Sequence, residues 1–595
     1  MSMSDQKIGY VMSSAADTIQ VRIETLKEFE AHKSNLQVGR YLKIAEGNSD
    51  FVIAIIRNLR GTNSVVEDSD IEWTFDLDCQ PLGTLVDGSE FKRGSSLLPV
   101  PTEAVFAVDQ DTLDLIFAAG AKFDYPIAPL AMNKHINLMV NGNGFFGKHV
   151  AVVGSTGSGK SCTVARILQD AVGIHKGQNR HQAAQKNAHI VIFDIHAEYA
   201  RAFRLEDDQN FTLNVLSVET LALPYWLMNA EELESLFIES NEANSYNQVS
   251  IFKQAVILNK IRHNPGIGEM TYDCPVYFSI EEVARYIENM NREVIGKLPG
   301  ENKPKLIDKS LIDSRDRYFD KIYDFVPWSA SKDERASNGA FHGEFNRFGS
   351  RLSTTLSDKR LSFLLRSSKA SGEIFSTADF EQIMKQFVGY LSKSNVTVID
   401  LSGIPFEVMS ITVSLVSRLI FDFSFHYSKL RHKDKKLNDI PVMIVCEEAH
   451  NYIPKSDIAA YRSSRKSIER IAKEGRKYGL SLMIVSQRPA EVSDTIFAQC
   501  NNFISLRLTN SDDQAYVRHL IPNNVNSITD VLPNLADGEA VVVGDAMLMP
   551  AIIKMDRPNP EPQSESINVY HEWREDWRDV AFAEVIKRWQ KEVAE

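Results

Sequence analysis

Cysteine is scarce in this 595-residue chain. There are five, Cys79, Cys162, Cys274, Cys446 and Cys500. No two are spaced as in a zinc knuckle or a redox dithiol, which removes those chemistries from consideration. Cys162 and Cys446 fall in or beside apolar segments and read as small hydrophobes of a reducing compartment. The N-terminus, Met1-Ser2-Met3-Ser4-Asp5-Gln6-Lys7, has no signal-peptide apolar stretch. No run approaches the length of a membrane span. The expectation is a cytoplasmic protein without a membrane partner. Positive charge is also in deficit: 66 Lys and Arg face 79 Asp and Glu, a formal net charge of −13. Proteins that coat DNA along their outside are more often basic. Any nucleic-acid contact must therefore come from a local basic surface, such as a pore lining. A fixed-period repeat is absent, which argues against a solenoid. What remains is a globular composition, 43% hydrophobic and 24% charged, long enough for a large core and more than one domain.

The run Gly154-Ser155-Thr156-Gly157-Ser158-Gly159-Lys160-Ser161 fits G-x-x-x-x-G-K-[ST], the phosphate-binding loop of nucleoside triphosphatases. The apolar run Val150–Val153 predicts a buried strand entering it, and Cys162 to Ala171 a helix leaving it. Glycines let consecutive N–H groups turn toward phosphate oxygens, and the following helix adds its positive end. Lys160 brings a point charge to the β- and γ-phosphates of ATP. Ser161 offers a hydroxyl to Mg²⁺.

A second site completes the chemistry. Val442 to Cys446 is an unbroken apolar run, the pattern of a buried parallel strand. It ends in Glu447-Glu448-Ala449-His450, and acidic residues at that end of a strand sit where α/β sheets bind ligands. Glu447 is placed on the hydrated metal ion. Glu448 is placed on the attacking water. A third strand, Ala188 to Phe193, ends in Asp194-Ile195-His196-Ala197-Glu198-Tyr199. Its acids either help organise Mg²⁺ or water beside the nucleotide or form a structural turn. Ser486-Gln487-Arg488-Pro489 follows the strand Leu480–Ser486. Gln487 there either touches the γ-phosphate or belongs to a plain turn.

Around these motifs, residues from about 7 to 115 alternate short apolar runs with glycine-rich turns, the pattern of a small β-barrel or sandwich. Residues 119–145, rich in Gly, Pro and Asn, read as a connector. Tyr225 to about Arg366 reads mostly as helix, with Asn264 to Asp316 less regular. Arg431 to Lys436 is a charged loop, Arg462 to Tyr478 a basic helix. A helix from about Glu572 to Val593 carries Trp573, Trp577 and Trp589.

In this order the motifs resemble the HerA group of the HerA/FtsK ATPases, over nearly the whole chain. The ordered set carries the resemblance: the barrel, the Gly154–Ser161 loop, Asp194-x-His196-x-Glu198-Tyr199, Glu447-Glu448-Ala449-His450, and Glu474-Gly475-Arg476-Lys477-Tyr478-Gly479 leading to Ser486-Gln487-Arg488-Pro489. The resemblance implies an α/β fold: a RecA-like P-loop ATPase core with an N-terminal small β-barrel (1–118) and a helical insertion or cap (225–389). The core would occupy 119–224 and 390–562, and a C-terminal helix (563–595) would brace a neighbouring subunit. It further implies a homohexamer that uses ATP and Mg²⁺ to move double-stranded DNA through a central pore. An effector, a nuclease or a sirtuin-like NADase, would dock on the barrel, in anti-phage defence. Glu448 becomes the catalytic glutamate and Gln487 a sensor. Arg476, with Arg470 second, is the arginine acting on a neighbour's γ-phosphate. Lys148 matches a basic residue before the strand that enters the loop. Nucleotide contacts extend over 154–161, Cys162, Asp194 and Glu198, and metal contacts fall to Ser161 and Glu447. One departure is Glu447 itself, where P-loop enzymes often have Asp. The rival reading is a ring scaffold that regulates an effector with ATP as conformational ligand. A P-loop kinase is the third.

Overall fold

The computed structural model describes residues 7–47, 49–65, 71–94, 97–117, 122–174, 186–205, 211–239, 242, 244–456, 462–521, 523–563 and 567–590. The expected barrel–core boundary at 118/119 and the expected helix end at Val593 lie outside them.

The first strands are β1 (Lys7–Ser14), β2 (Ile19–Ile23), β3 (Tyr41–Glu46), β4 (Asp50–Val65), β5 (Ile71–Val86), β6 (Glu90–Arg93) and β7 (Ala104–Ala107). They pair in the order β2-β1-β7-β3-β4-β5, and β5 returns to β2, so six strands close into a barrel with β6 added outside β5. Alternation along β4 shows how it sits. Val52, Ala54 and Ile56 fill the barrel. Ile53 and Ile55 point the other way, yet they too are buried, with Tyr41, Leu85 and Phe91, in the main core of the molecule. The Tyr41 hydroxyl donates to the Pro550 carbonyl at 3.1 Å, and Arg93 Nη1 to the Gly544 carbonyl at 3.0 Å. The barrel is therefore packed onto the core rather than tethered to it.

The core strands are β8 (Tyr125–Leu130), β9 (Asn133–Val140), β10 (His149–Val153), β11 (His189–Asp194), β12 (Leu213–Leu216), β15 (Val396–Asp400), β16 (Val442–Cys446), β17 (Leu480–Ser486), β18 (Cys500–Ser505), β19 (Glu539–Gly544) and β20 (Ala551–Lys554). The short pair β13 (Val294–Gly296) and β14 (Ala336–Asn338) lies in the insertion. The core sheet runs β12-β15-β11-β16-β17-β10-β18-β19-β20-β8-β9. From β12 to β18 every pairing is parallel, and from β18 to β9 every pairing is antiparallel. Buried on both faces, the central strands need the unbroken apolar runs their sequences show. The segment 119–145, expected as a connector, instead contributes the hairpin β8–β9 at the sheet edge.

The insertion between β12 and β15 carries the helices Ala230–Phe237, Ser245–His263, Ile280–Arg292, Asn346–Ser357 and Phe380–Phe387, but long irregular stretches separate them, so it is less helical than expected. The segment 264–316 is irregular as expected except for one helix, Ile280–Arg292, which Ser279 caps by accepting from Glu282 N at 3.3 Å. The insertion is rooted by Asn229, which opens Ala230–Phe237 with a capping box. Its partner residue Glu232 is fully buried and receives Arg418 Nη2 at 2.9 Å and the Ser414 hydroxyl at 2.8 Å.

Arg418 belongs to the helix Phe406–Lys433, which extends into the segment expected as a charged loop. Over 408–433 it is long and apolar enough to cross a membrane, against the expectation that no run would be. Its most apolar window is 78% buried, as befits a core helix. The thiols Cys79, Cys446 and Cys500 are buried, while Cys162 and Cys274 are half-buried; none forms a disulfide. The chain through Pro562 forms one compact unit, and 563–595 forms another. Within the second, the single long helix expected is replaced by two short ones, Val569–Glu572 and Phe582–Trp589. Trp573, Trp577, Phe582 and Trp589 are exposed there.

Candidate active site

The loop Gly154–Ser161 leaves β10 and ends in the helix Lys160–Val172. Gly157 (φ +76°) and Gly159 (φ +97°) hold left-handed backbone that a side chain would strain. Neighbouring segments clamp the loop. Ser155 N donates to the Arg507 carbonyl at 2.8 Å, its hydroxyl lies 3.0 Å from that of Thr509, and Gly538 N donates to the Ser158 carbonyl at 3.2 Å. Lys160 is buried, its Nζ 3.3 Å from the Ser155 carbonyl. Burial pulls its pKa below the ordinary lysine value, against the pull of Glu448, Glu447 and Glu198. The hydroxyls of Ser158 and Thr163 are buried without partners. A cation and unsatisfied hydroxyls around an N–H-lined turn fit a triphosphate. Ser161 and Cys162 sit half-buried on the helix's first turn.

One strand, β17, separates β10 from β16, so the carboxyl end of β16 faces the loop across the tip of β17. That tip is joined to the loop directly: the Thr156 hydroxyl donates to Gln487 Oε1 at 2.6 Å. Glu447 is buried and receives the Tyr199 hydroxyl at 2.7 Å. Burial, partly countered by that bond, lifts its pKa to about 8. A carboxylate this costly to ionise fits a place where a cation arrives, and with Ser161 it would hold Mg²⁺. Glu448 adopts φ +44°, left-handed for a residue with a Cβ. Its Oε2 is buried without a hydrogen bond, although His450 Nδ1 lies 3.3 Å away. Burial lowers the His450 pKa, against the pull of Glu448. The same Nδ1 is 3.3 Å from the Ser486 hydroxyl.

Asp194 does not point free toward the nucleotide. It is buried and accepts from Glu198 N at 3.1 Å and Tyr199 N at 2.8 Å, and burial raises its pKa to about 6. It shapes the turn that presents half-buried Glu198 to Lys160 and Tyr199 to Glu447.

With this geometry in hand, the comparisons are specific. The family described as "Helicase HerA, central domain" matches residues 125–420. "DNA double-strand break repair helicase HerA" of Sulfolobus acidocaldarius is 23% identical, covering 95% of this chain and 96% of its own length. The protein of the same name from Pyrococcus furiosus is 23% identical, covering 89% and 90%. The chain belongs to the HerA family. It is a P-loop ATPase. Among solved structures, VirB4 of Thermoanaerobacter pseudethanolicus aligns at 13% identity and a TM-score of 0.42, covering 73% of this chain and 97% of that one. That likeness is too distant to argue from.

Three basic residues of this HerA-family chain lie away from its own phosphate loop. Lys148 precedes β10, at the opposite end of that strand, roughly 15 Å from the loop at 3.3 Å per residue. It pairs with Asp545 Oδ2 at 3.0 Å. Arg476 lies in the turn before β17, a strand of seven residues, so roughly 20 Å separates it from the Gln487 end. It is exposed and makes no ion pair among the described residues. His149 fixes this end of the sheet: Leu482 N donates to its Nδ1 at 3.0 Å, so its Nε2–H donates to the Ala472 carbonyl at 2.9 Å. Arg470, six residues earlier on the preceding helix, is occupied. It lies 4.3 Å over the Phe421 ring and 3.7 Å from Asp422.

Sequence reasoning quoted Tyr199 and His450 within motifs without giving either a role. It missed Arg507 and Thr509 entirely. The only signal for the latter pair is their position just past β18, beside β10.

Proposed function

We propose that this chain is the subunit of a hexameric motor that hydrolyses ATP and moves double-stranded DNA through a central pore. The observation that carries the ring is the separation of Arg476 and Lys148 from their own phosphate loop. Neither can reach a nucleotide bound there, whereas a second copy can present both to it. The relatives' names, helicases of DNA double-strand break repair, support DNA as the track. An effector enzyme, a nuclease or sirtuin-like NADase, would dock on the barrel in anti-phage defence, and segment 563–595 would brace a neighbouring subunit.

The chemistry follows from the side chains. Lys160 balances charge that builds on the phosphoryl oxygens, and the loop N–H groups hold them in place. Mg²⁺, held by Ser161 and Glu447, would supply further positive charge. Glu448 orients water and accepts its proton on the oxygen that has no hydrogen bond. Gln487, bonded to Thr156, reads the state of the loop. The neighbour's Arg476 stabilises the transition state and links hydrolysis around the ring.

The test is ATP turnover of the purified full chain with and without duplex DNA. Stimulation by DNA supports the motor. Turnover indifferent to DNA but altered by a bound effector would replace it with the scaffold reading.

A further inference from the structure

Beyond the catalytic residues, a polar cleft of about 510 Å³ opens at the carboxyl ends of β11, β16 and β17. His196, Asn451, Ser456, Gln487, Arg488 and Glu491 line it, and His450 forms part of its lining. The phosphate loop takes no part. We propose that this cleft binds one backbone phosphate of the nucleic acid, and that His450 carries its occupancy to Glu448.

The lining suits a phosphodiester oxygen. Arg488 offers a guanidinium fork, and His196, Asn451 and Ser456 offer further polar groups beside Pro454. Glu491 opposes an anion, but its pairing with Arg488 at 3.0 Å joins two side chains that are 53% and 59% exposed. Such a pair contributes little, so a phosphate exchanges readily for it. Lys455 and Arg465 also stand beside Ser456, where Arg465 Nη1 donates to the carbonyls of Lys455 and Ser456 at 3.3 and 3.1 Å, but each is offset by its own carboxylate, Asp494 at 2.7 Å and Glu469 at 3.7 Å.

The link to catalysis is one residue thick. His450 faces the cleft on one side and stands 3.3 Å from Glu448 Oε2 and from the Ser486 hydroxyl on the other. Ser486 precedes Gln487, which is bonded to the phosphate loop. Glu448 Oε2 has no hydrogen bond to fix it. A phosphate that fixes the His450 ring therefore fixes the oxygen that must orient water. His450 is a positioning residue in this scheme.

The inference rests on the DNA-motor reading, and one set of measurements separates the two. Full-length wild type, Arg488→Ala and His450→Gln are compared for ATP turnover with and without duplex DNA, for DNA affinity against salt, and for ring size. Arg488→Ala should cut the DNA-stimulated to DNA-free ratio about fivefold or more, the usual scale of site-to-site coupling. It should also lower the slope of log affinity on log salt by about one. His450→Gln should cut the ratio through kcat, leaving the salt slope and the KM for ATP near wild type. If both variants keep the wild-type ratio, the cleft proposal is wrong and the motor reading stands. Loss of the ring with an unchanged ratio also overturns it, because a neighbouring subunit is then the occupant. If wild type neither binds nor responds to DNA, both readings fail.

Discussion

Glu447 and Glu448 are adjacent in sequence and opposite in circumstance. One is hydrogen-bonded by Tyr199, the other carries an orphaned oxygen on left-handed backbone. Glu448→Gln should retain ATP binding and lose turnover by about 10²–10⁴-fold, the range of general acid–base contributions. Lys160→Ala should instead weaken nucleotide binding. Equilibrium binding beside single-turnover kinetics checks the pair, and unchanged turnover in Glu448→Gln would remove it from catalysis. Tyr199→Phe leaves the buried Glu447 carboxylate without its donor. The expected cost is about 1–3 kcal/mol of stability, read by chemical denaturation, with a higher Mg²⁺ requirement for turnover. The phosphate loop and Glu448 were legible in the sequence because each motif is contiguous. The Tyr199–Glu447 bond spans 248 positions and the Thr156–Gln487 bond 331. No local pattern encodes such pairs; only the sheet order brings them together.

At the scale of elements, the insertion of β17 between β10 and β16 gives Gln487 its reach and leaves Arg476 a strand's length away. Subunits carrying Arg476→Ala and subunits carrying Lys160→Ala should each be inactive alone. Mixed rings should recover part of the turnover, because some interfaces then join an intact loop to an intact arginine. Mixed rings that form and stay inactive would show that Arg476 is not the shared residue. The helix Ala230–Phe237 is held by a buried ion pair, so Glu232→Ala should cost up to about 3 kcal/mol, the low end for a broken buried pair because Arg418 keeps Asp422 at 3.3 Å. Denaturant unfolding measures it. The central strands were legible because burial on both faces demands apolar runs. The hairpin β8–β9 was not, because its Pro126, Pro129 and Asn133 read as loop. The prolines are tolerated in β8, the strand next to the edge, because it pairs with β20 at one position and its register with β9 shifts beside each of them. The helix Ile280–Arg292 was obscured by charges that lie on its outer face.

At the scale of the whole molecule, the barrel and the C-terminal segment call for different experiments. Deleting residues 1–115 would uncover core surface now covered by Tyr41, Ile53, Ile55 and Phe91. Effector docking on the barrel is therefore better tested by substitutions on its outer surface than by truncation. The segment 563–595 is a unit of its own with exposed Trp573, Trp577 and Trp589. Removing residues 565–595 should leave folded subunits and weaken the ring. An unaltered hexamer by light scattering would end the brace hypothesis. The uneven burial of the thiols has a practical consequence. Cys79, Cys446 and Cys500 lie out of reach of a maleimide. Cys162, next to Ser161 at the start of the phosphate-loop helix, and Cys274, in the insertion, are the two that can react. Alkylation of Cys162 relative to Cys274 thus becomes an intrinsic gauge of nucleotide occupancy, with the second thiol as internal standard and no label engineered into the chain.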